Sequence, residues 1–391
     1  MSVVIEPVRD FEEAIRWAEI ASEALGFDLP DAEELLSRYD LADLRVARTD
    51  GELAGGAFFL PMHQYFGGRA VPMSGVHAVG IAAEHRGRGV GGALMREAMV
   101  ELAERGVPIS CLYPATQPIY RAAGFEQAGT WTRWALPASA LADRDRALPV
   151  ERVDVDDADD LATAYEAQAR VSPGHLVRTS WNWRRVLQLF GGGPKSYRVR
   201  EGGKTTGYLA YWAKRRTDRF HVSDYYVELV ANTPAAAARL RALLADHRSM
   251  VDTLHIAGPP GGAPFLPLGE QRATVDVMMR WMLRLVDVRA AFEARGYPPG
   301  LTARLELEVE DELLAKNRGR ITLEVFEGSG RVTDGGGGTL KAHVRGLASL
   351  YSGHLDAALL AALGLVEGSA DALATASAIF AGPAPWMPEI F

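Results

Sequence analysis

Val79-Gly80-Ile81-Ala82-Ala83-Glu84-His85-Arg86-Gly87-Arg88-Gly89-Val90-Gly91-Gly92-Ala93-Leu94 is an apolar strand running into a basic, glycine-rich turn that opens directly into a helix. Within it Arg86, Gly89 and Gly91 spell R-x-x-G-x-G. A helix start offers unpaired backbone N–H groups and the positive end of the helix dipole, so it suits an anionic phosphate. Glycines let the backbone approach a ligand closely. Arg86 and Arg88 add charge, and Arg grips phosphate through two parallel hydrogen bonds. The stretch reads as a pyrophosphate cradle. A dinucleotide-binding turn would need G-x-G-x-x-G and an acidic residue about twenty positions on, and a Walker loop would need a terminal Lys-Ser/Thr pair. The plain alternative is a basic surface turn that caps a helix.

The flanking elements support the cradle. Asp50-Gly51 separates Leu44–Thr49 from Leu53–Leu60, a strong hairpin signal. Met73–Ile81 is a third strand, after which Leu94, Met95, Ala98, Met99 and Leu102 recur at helical spacing. Gly106-Val107-Pro108 ends that helix and Ile109–Tyr113 reads as a short buried strand. Ile119–Gly124 follows as a short helix closed by its glycine.

This series resembles the GNAT acetyltransferases, whose acetyl-CoA signature is R/Q-x-x-G-x-G/A after a central strand. The resemblance extends from the N-terminus to the strand before Pro137, and Tyr120-x-x-x-Gly124-Phe125 strengthens it. His85–Val90, Ile119-Tyr120 and a chain ending in Phe391 resemble the Eis (enhanced intracellular survival) branch in particular. Members of that branch acetylate amines, aminoglycosides among them, and carry two further domains.

Composition bounds the reading. At 391 residues the chain has room for two or three domains. With 48% hydrophobic residues it can build substantial cores, yet no segment is long and apolar enough to cross a bilayer. Met1–Asp10 lacks the basic-then-apolar order of a secretory signal, so a soluble, cytoplasmic protein is expected. The single cysteine, Cys111, excludes an intrachain disulfide and reads as a small core residue. A net charge of −8 argues against general nucleic-acid binding and is compatible with a polycationic substrate.

The expected fold is α/β and α+β: two GNAT-like domains, the first with the acetyl-CoA motif and the second degenerate, followed by a sterol-carrier-like α+β domain. The boundaries read as 1–140, 146–285 and 286–391. In the middle portion Ser196–Arg200, Thr206–Ala213 and His221–Val230 read as strands and Pro234–His247 as a helix. No R-x-x-G-x-G follows the last of these strands, and Gly191-Gly192-Gly193-Pro194 reads as a loop. The acidic run Asp154–Asp160 lacks the loop glycine and distal Glu of an EF-hand. It reads instead as the start of a helix over Leu161–Ala169. No metal is expected. In the last portion a helix ends near Arg295 and strands cover Leu301–Glu310 and Arg320–Phe326. Gly335–Gly338 is a connection, with helices at Leu347–Tyr351, Leu355–Leu363 and Asp371–Phe380. The resemblance implies that this portion is the sterol-carrier-type domain.

Acyl transfer from a thioester to an amine must hold the cofactor, neutralise the amine and support the departing thiolate. The cofactor falls to Arg86, Gly87, Arg88, Gly89, Val90, Gly91 and Gly92. By the resemblance, the backbone near Val79 and Ile81 pairs with the pantetheine amides of acetyl-CoA. Tyr120 matches the GNAT tyrosine beside the thioester sulfur and is the expected general acid. At unperturbed pKa values of ~10 for Tyr and ~8.5 for a thiol, full proton transfer is uphill by about 2 kcal/mol, so Tyr120 acts mainly as a hydrogen-bond donor. The base is less evident. His77 and His85 are near the motif, but neither is clearly directed at a thioester, and His85 in a surface turn is expected to be solvated. The resemblance implies instead that the terminal carboxylate, here on Phe391, is the base, with Pro383–Pro388 stiffening the tail. For a polycationic amine, carboxylates and aromatic faces are needed. Phe27, Asp28, Trp181, Trp183 and Glu389 are the candidates.

The favoured activity is direct N-acetylation of small polycationic amines such as aminoglycosides, with one active site per chain. A protein- or peptide-lysine acetyltransferase is the enzyme alternative. A lipid carrier or scaffold with a vestigial transferase unit is the alternative from another class. The family's hexamers imply a homo-oligomer.

Overall fold

A computed structural model describes residues 2–29, 31–153, 158–180, 182–183 and 195–391. Gly191–Pro194, Trp181 and Asp154–Asp157 lie outside the described residues. The chain forms two compact units. The first comprises Met1–Ala128, Arg280–Gly382 and Phe391, and the second Gly129–Met279 and Pro383–Ile390. No helix among the described residues is long and apolar enough to cross a membrane.

The first unit begins with strands β1 (Val3–Pro7), β2 (Leu44–Thr49), β3 (Glu52–Phe66) and β4 (Arg69–Ile81), paired antiparallel in that order. Asp50 and Gly51 have φ of 53° and 89°, the two positive values that a tight hairpin turn requires. Helix α1 (Phe11–Leu25) is capped by the Asp10 carboxylate, and α2 (Ala32–Leu36) follows it. After β4 comes helix α3 (Val90–Glu104), which buries Leu94, Met95, Ala98, Met99 and Leu102 along one face. Strand β5 (Ile109–Leu112) pairs parallel to β4, and helix α4 (Pro118–Ala122) follows.

The free edge of β5 is taken from far along the chain. Met282–Leu285, the end of β12 (Thr274–Leu285), pairs antiparallel with Ile109–Leu112. Within the second unit, Arg133–Pro137 of β6 (Glu126–Pro137) pair antiparallel with β11 (Val251–Ala257). Strand periodicity cannot reveal such long-range pairings, because it reports which face is buried and not which edge is paired.

The second unit repeats the plan. Its sheet runs β6, β11, β10 (Ser223–Ala231), β9 (Lys204–Arg215), β8 (Lys195–Glu201), β7 (Val150–Val153), with β10 and β11 parallel. Helix α5 (Ala158–Arg170) carries Asp159 and Asp160 in its first turn, and Asp160 pairs with Arg198 and Arg200. Helix α6 (Pro234–Asp246) follows β10 as α3 follows β4.

The rest of the first unit is a five-stranded sheet with helices. Its order is β15 (Ser329–Asp334), β14 (Gly319–Phe326), β13 (Ala303–Glu310), β16 (Leu340–His343), β17 (Val366–Gly368). Helices α7 (Val288–Ala294), α8 (Val344–Ser352), α9 (Ala357–Ala362) and α10 (Ala370–Ile379) accompany it. Strands β15 to β17 escape the sequence reading.

Candidate active site

Strands β4 and β5 are paired only over Met73–Gly75 and Ile109–Cys111. Ala78, with φ of 53°, and a register shift opposite Gly56–Phe58 mark a bulge in β4. Beyond Gly75, β4 is bonded to β3 on one side, and no strand among the described residues pairs with its other side. Val79 and Ile81 lie on this splayed stretch, both half-buried.

The turn after β4 is anchored at several points. His85 is buried and its Nδ1 is 2.9 Å from Thr49 Oγ1, which corrects the expectation of a solvated ring. Arg86 donates from Nε to the Ile81 carbonyl at 3.1 Å and from Nη2 to the Ala24 carbonyl at 3.4 Å. In this arrangement the Arg86 guanidinium ties the turn to its strand, while Arg88 is exposed. Val90 points into the core with Ala47 and Ala54, so it can serve a ligand only through its backbone.

Helix α3 starts at Gly89, in the left-handed region with φ of 80°, and has no side-chain cap. Helices α1, α6, α7, α8, α9 and α10 each receive a cap from a side chain. At the corresponding point of the second unit, Thr233 Oγ1 accepts from the Ala236 N–H at 3.1 Å and Pro234 occupies the first turn. The first turn of α3 thus keeps its donors for another acceptor, whereas that of α6 satisfies one internally.

Tyr120 on α4 is 4% exposed and lies in an apolar cluster with Leu94, Met95, Phe125, Met282 and Leu314. Burial pushes its phenol up to about 12, so it stays protonated at any ordinary working pH. Burial likewise pushes the Cys111 thiol up, consistent with an inert core residue. His77 Nε2 is 3.1 Å from the Tyr39 hydroxyl, and the two rings stack at 5.4 Å.

Phe391 is 5% exposed. Its ring meets Tyr113 edge-on at 5.9 Å, and a Cβ added to Gly75 would be 2.9 Å from Phe391 Cε2. The last residue of the chain therefore packs where β4 parts from β5.

The preceding tail belongs to the second unit. Thr130 N–H donates to the Pro385 carbonyl, Met387 N–H to the Thr130 carbonyl and Trp131 Nε1 to the Pro388 carbonyl, at 3.1, 3.0 and 3.0 Å. Glu389 is 8% exposed, and Arg178 grips its carboxylate from Nε at 3.1 Å and Nη2 at 2.8 Å. Arg178 also donates to Glu228 at 2.6 and 3.1 Å, and its Cζ is 3.8 Å from the Tyr165 ring and 4.8 Å from the Trp183 ring. Burial opposes the charge of Arg178, but Glu228 and Glu389 overcome that and hold it ionised.

Two expected substrate contacts are therefore spent internally. Glu389 neutralises a buried guanidinium and Trp183 offers that cation its aromatic face, so neither presents itself to a ligand in this arrangement. Trp181 is outside the described residues. Phe27 and Asp28, after the end of α1, are exposed and remain presentable.

His175 beside this cluster yields a prediction. Its Nδ1–H donates to the Trp386 carbonyl at 3.1 Å, and burial, together with the Arg178 charge, pushes its pKa down to about 3. The unfolded chain takes up this proton near pH 6.5, whereas the folded chain does not do so until about pH 3. Stability is therefore expected to fall by up to about 5 kcal/mol as pH drops through that window. Acid unfolding followed by circular dichroism should be less steep in His175→Gln; identical profiles would remove His175 as the cause.

Residues 8–128 and 174–285 each match the family described as acetyltransferase (GNAT) domain, and 288–388 match the sterol carrier protein domain. An N-acetyltransferase of Streptomyces avermitilis is 31% identical over 355 residues, 83% of each chain. The chain belongs to the GNAT N-acetyltransferases of the Eis type. The N-acetyltransferase Eis of Mycobacterium tuberculosis is 27% identical over 356 residues, 85% of this chain and 84% of its own. A crystal structure of a GCN5-related N-acetyltransferase from Anabaena variabilis superposes with a TM-score of 0.95 at 36% identity, covering both chains fully. As the sequence implied, this Eis-type enzyme has two GNAT domains followed by a sterol-carrier domain. The lipid-carrier alternative gives way to an acetyltransferase, whose family uses acetyl-CoA.

Proposed function

We propose that this enzyme acetylates primary amines of small polycationic molecules, aminoglycosides among them, with Phe391 as base and Tyr120 as acid. The observation that carries the proposal is the packing of Phe391 against Gly75 and Tyr113, at the parting of β4 and β5. A buried Phe391 ring at that parting supports a base role for the terminal carboxylate beside the strands proposed to serve the cofactor.

The residues fit acetyl-CoA, which when bound supplies an activated acetyl thioester. Arg88 and the uncapped N–H groups at Gly89–Gly92 would hold the pyrophosphate, and the open side of Val79–Ile81 would meet the pantetheine amides. Gly91 supports this reading. A Cβ there would make only ordinary contacts, at 3.6 Å to Ile81 and 3.8 Å to Ile119. Glycine inside a helix costs about 1 kcal/mol against alanine. Since the fold does not require it, close approach of a ligand is the remaining reason for it.

At pH 7 an amine of pKa near ~10 is an ammonium, and neutralising it costs about 4 kcal/mol. The Phe391 carboxylate accepts that proton and frees the nitrogen lone pair for attack on the acetyl carbonyl. Tyr120 donates a hydrogen bond to the sulfur as the carbon–sulfur bond breaks. Asp28 and Phe27 would meet the substrate's charge and apolar face. The same reading carries the homo-oligomer, a hexamer, in the cytoplasm.

A thiol-release assay across aminoglycosides, polyamines and lysine peptides tests the substrate class. Turnover is expected with aminoglycosides and to be weaker with peptides. Preference for lysine peptides would favour the protein-acetylating alternative.

A further inference from the structure

Helix α4, which carries Tyr120, has five residues and cannot hold its own position, because helices this short are not stable alone. What holds it comes from much later in the chain. The helix ends in a left-handed Gly124, φ 86°, with the Phe125 N–H bonded back to the Tyr120 carbonyl at 3.0 Å. Against the Cα of Gly124 lies the guanidinium of Arg284. A Cβ at position 124 would be 2.4 Å from Arg284 Nη1 and 2.9 Å from Nε.

Arg284 is fully buried, and those two nitrogens have no hydrogen-bond partner among the described residues. Leaving such donors unpaired is costly, so something must fix the side chain there. Its Nη2 donates to both oxygens of Asp311, at 2.8 and 2.6 Å. Asp311 is itself held by the N–H groups of Leu313 and Leu314 and by Asn317 Nδ2, at 3.1, 3.0 and 2.9 Å. Leu314, from the same turn, packs into the cluster that contains Tyr120.

A second tie lies just beyond Gly124. The buried Glu126 carboxylate accepts from Arg121, the neighbour of Tyr120, at 2.8 Å, and from Arg345 Nε on α8 at 3.0 Å. Ser349 Oγ, one turn further along α8, donates to the Gln127 carbonyl. Asp311, Arg345 and Ser349 all belong to the stretch that matches the sterol carrier domain.

We propose that the sterol-carrier-type domain is a brace for the catalytic tyrosine, with Asp311 (through Arg284 and Gly124) and Arg345 (through Glu126 and Arg121) as positioning residues. The proposal rests on the reading of Tyr120 as the acid. A displacement of about 1 Å can cost about a hundredfold in rate. The two ties set the phenol's position, while the cofactor cradle, on other elements, is untouched by them.

The test is a mutant cycle on the full chain with acetyl-CoA and the best amine. Arg345→Met should fold, since Arg345 is partly exposed and Glu126 keeps Arg121. It is expected to lower kcat about tenfold or more with KM for acetyl-CoA unchanged, and Arg345→Lys should restore most of the loss. Asp311→Asn, if it folds, should behave like Arg345→Met. In a Tyr120→Phe chain, Arg345→Met should cost nothing further, because the group it positions is gone. Full kcat in Arg345→Met, or a loss that persists undiminished in the Tyr120→Phe background, would overturn the brace and leave the acid role intact. Full turnover in Tyr120→Phe alone would overturn the acid role and the brace with it.

Discussion

Adding residues after Phe391 is expected to abolish acetyl transfer, while the same tag ahead of Met1 leaves the rate unchanged. An extension converts the terminal carboxylate into an amide, which has no proton affinity in the working range. General-base catalysis is typically worth about 10²–10⁴-fold, and here the base must also offset the roughly 4 kcal/mol of deprotonating an ammonium at pH 7. The structure adds a steric term, because the Phe391 ring is buried against Gly75 and Tyr113 and further residues would have to leave by that route. A chain ending in Phe391 amide separates the two effects. It keeps the tail length and the ring contacts and loses only the charge. If the amide form turns over like the acid form, the carboxylate is not the base, whatever an extension does.

Tyr120→Phe is expected to lower turnover by about 10²–10⁴-fold with acetyl-CoA binding little changed. Phenylalanine fits the same apolar cluster, so the loss reports the hydroxyl and not the packing. Burial reinforces the donor role expected from unperturbed values. With the phenol at about 12 and a thiol near ~8.5, outright proton transfer is uphill by about 5 kcal/mol. On the proposed reading Tyr120 therefore acts as a hydrogen-bond donor to a departing thiolate, which takes its proton later from water. The raised value keeps the donor present as pH rises and removes it only near 12. A pH–rate profile should accordingly lack an alkaline limb near 10 that depends on Tyr120. Wild-type turnover in Tyr120→Phe would dismiss the role, and a Tyr120-dependent limb near 10 would dismiss the burial account.

Local features were legible because their causes are local. Asp50-Gly51 demands two positive φ angles, and the glycines at 87 and 89 likewise announce left-handed backbone before a helix. The missing motif after β10 was equally plain, and the Thr233 cap supplies its structural counterpart. Readings that depended on a distant partner went astray. His85 looked solvated because Thr49, its partner, is 36 positions away. Glu389 and Trp183 have substrate-binding chemistry, but Arg178 already uses it, at a separation of 211 residues from Glu389. Arg178 itself was missed, since a lone arginine carries no sign in sequence that it will be buried.

The sequence by itself determined the kind of enzyme and pointed to a cradle for its cofactor, because R-x-x-G-x-G between a strand and a helix encodes its geometry within six residues. Only the tertiary structure decided which charges are spent on each other, which distant strand edges pair and what lies against Gly75 and Gly124. Backbone conformation follows from neighbours along the chain, whereas burial and ion pairing follow from neighbours in space, and no residue carries those in its own identity.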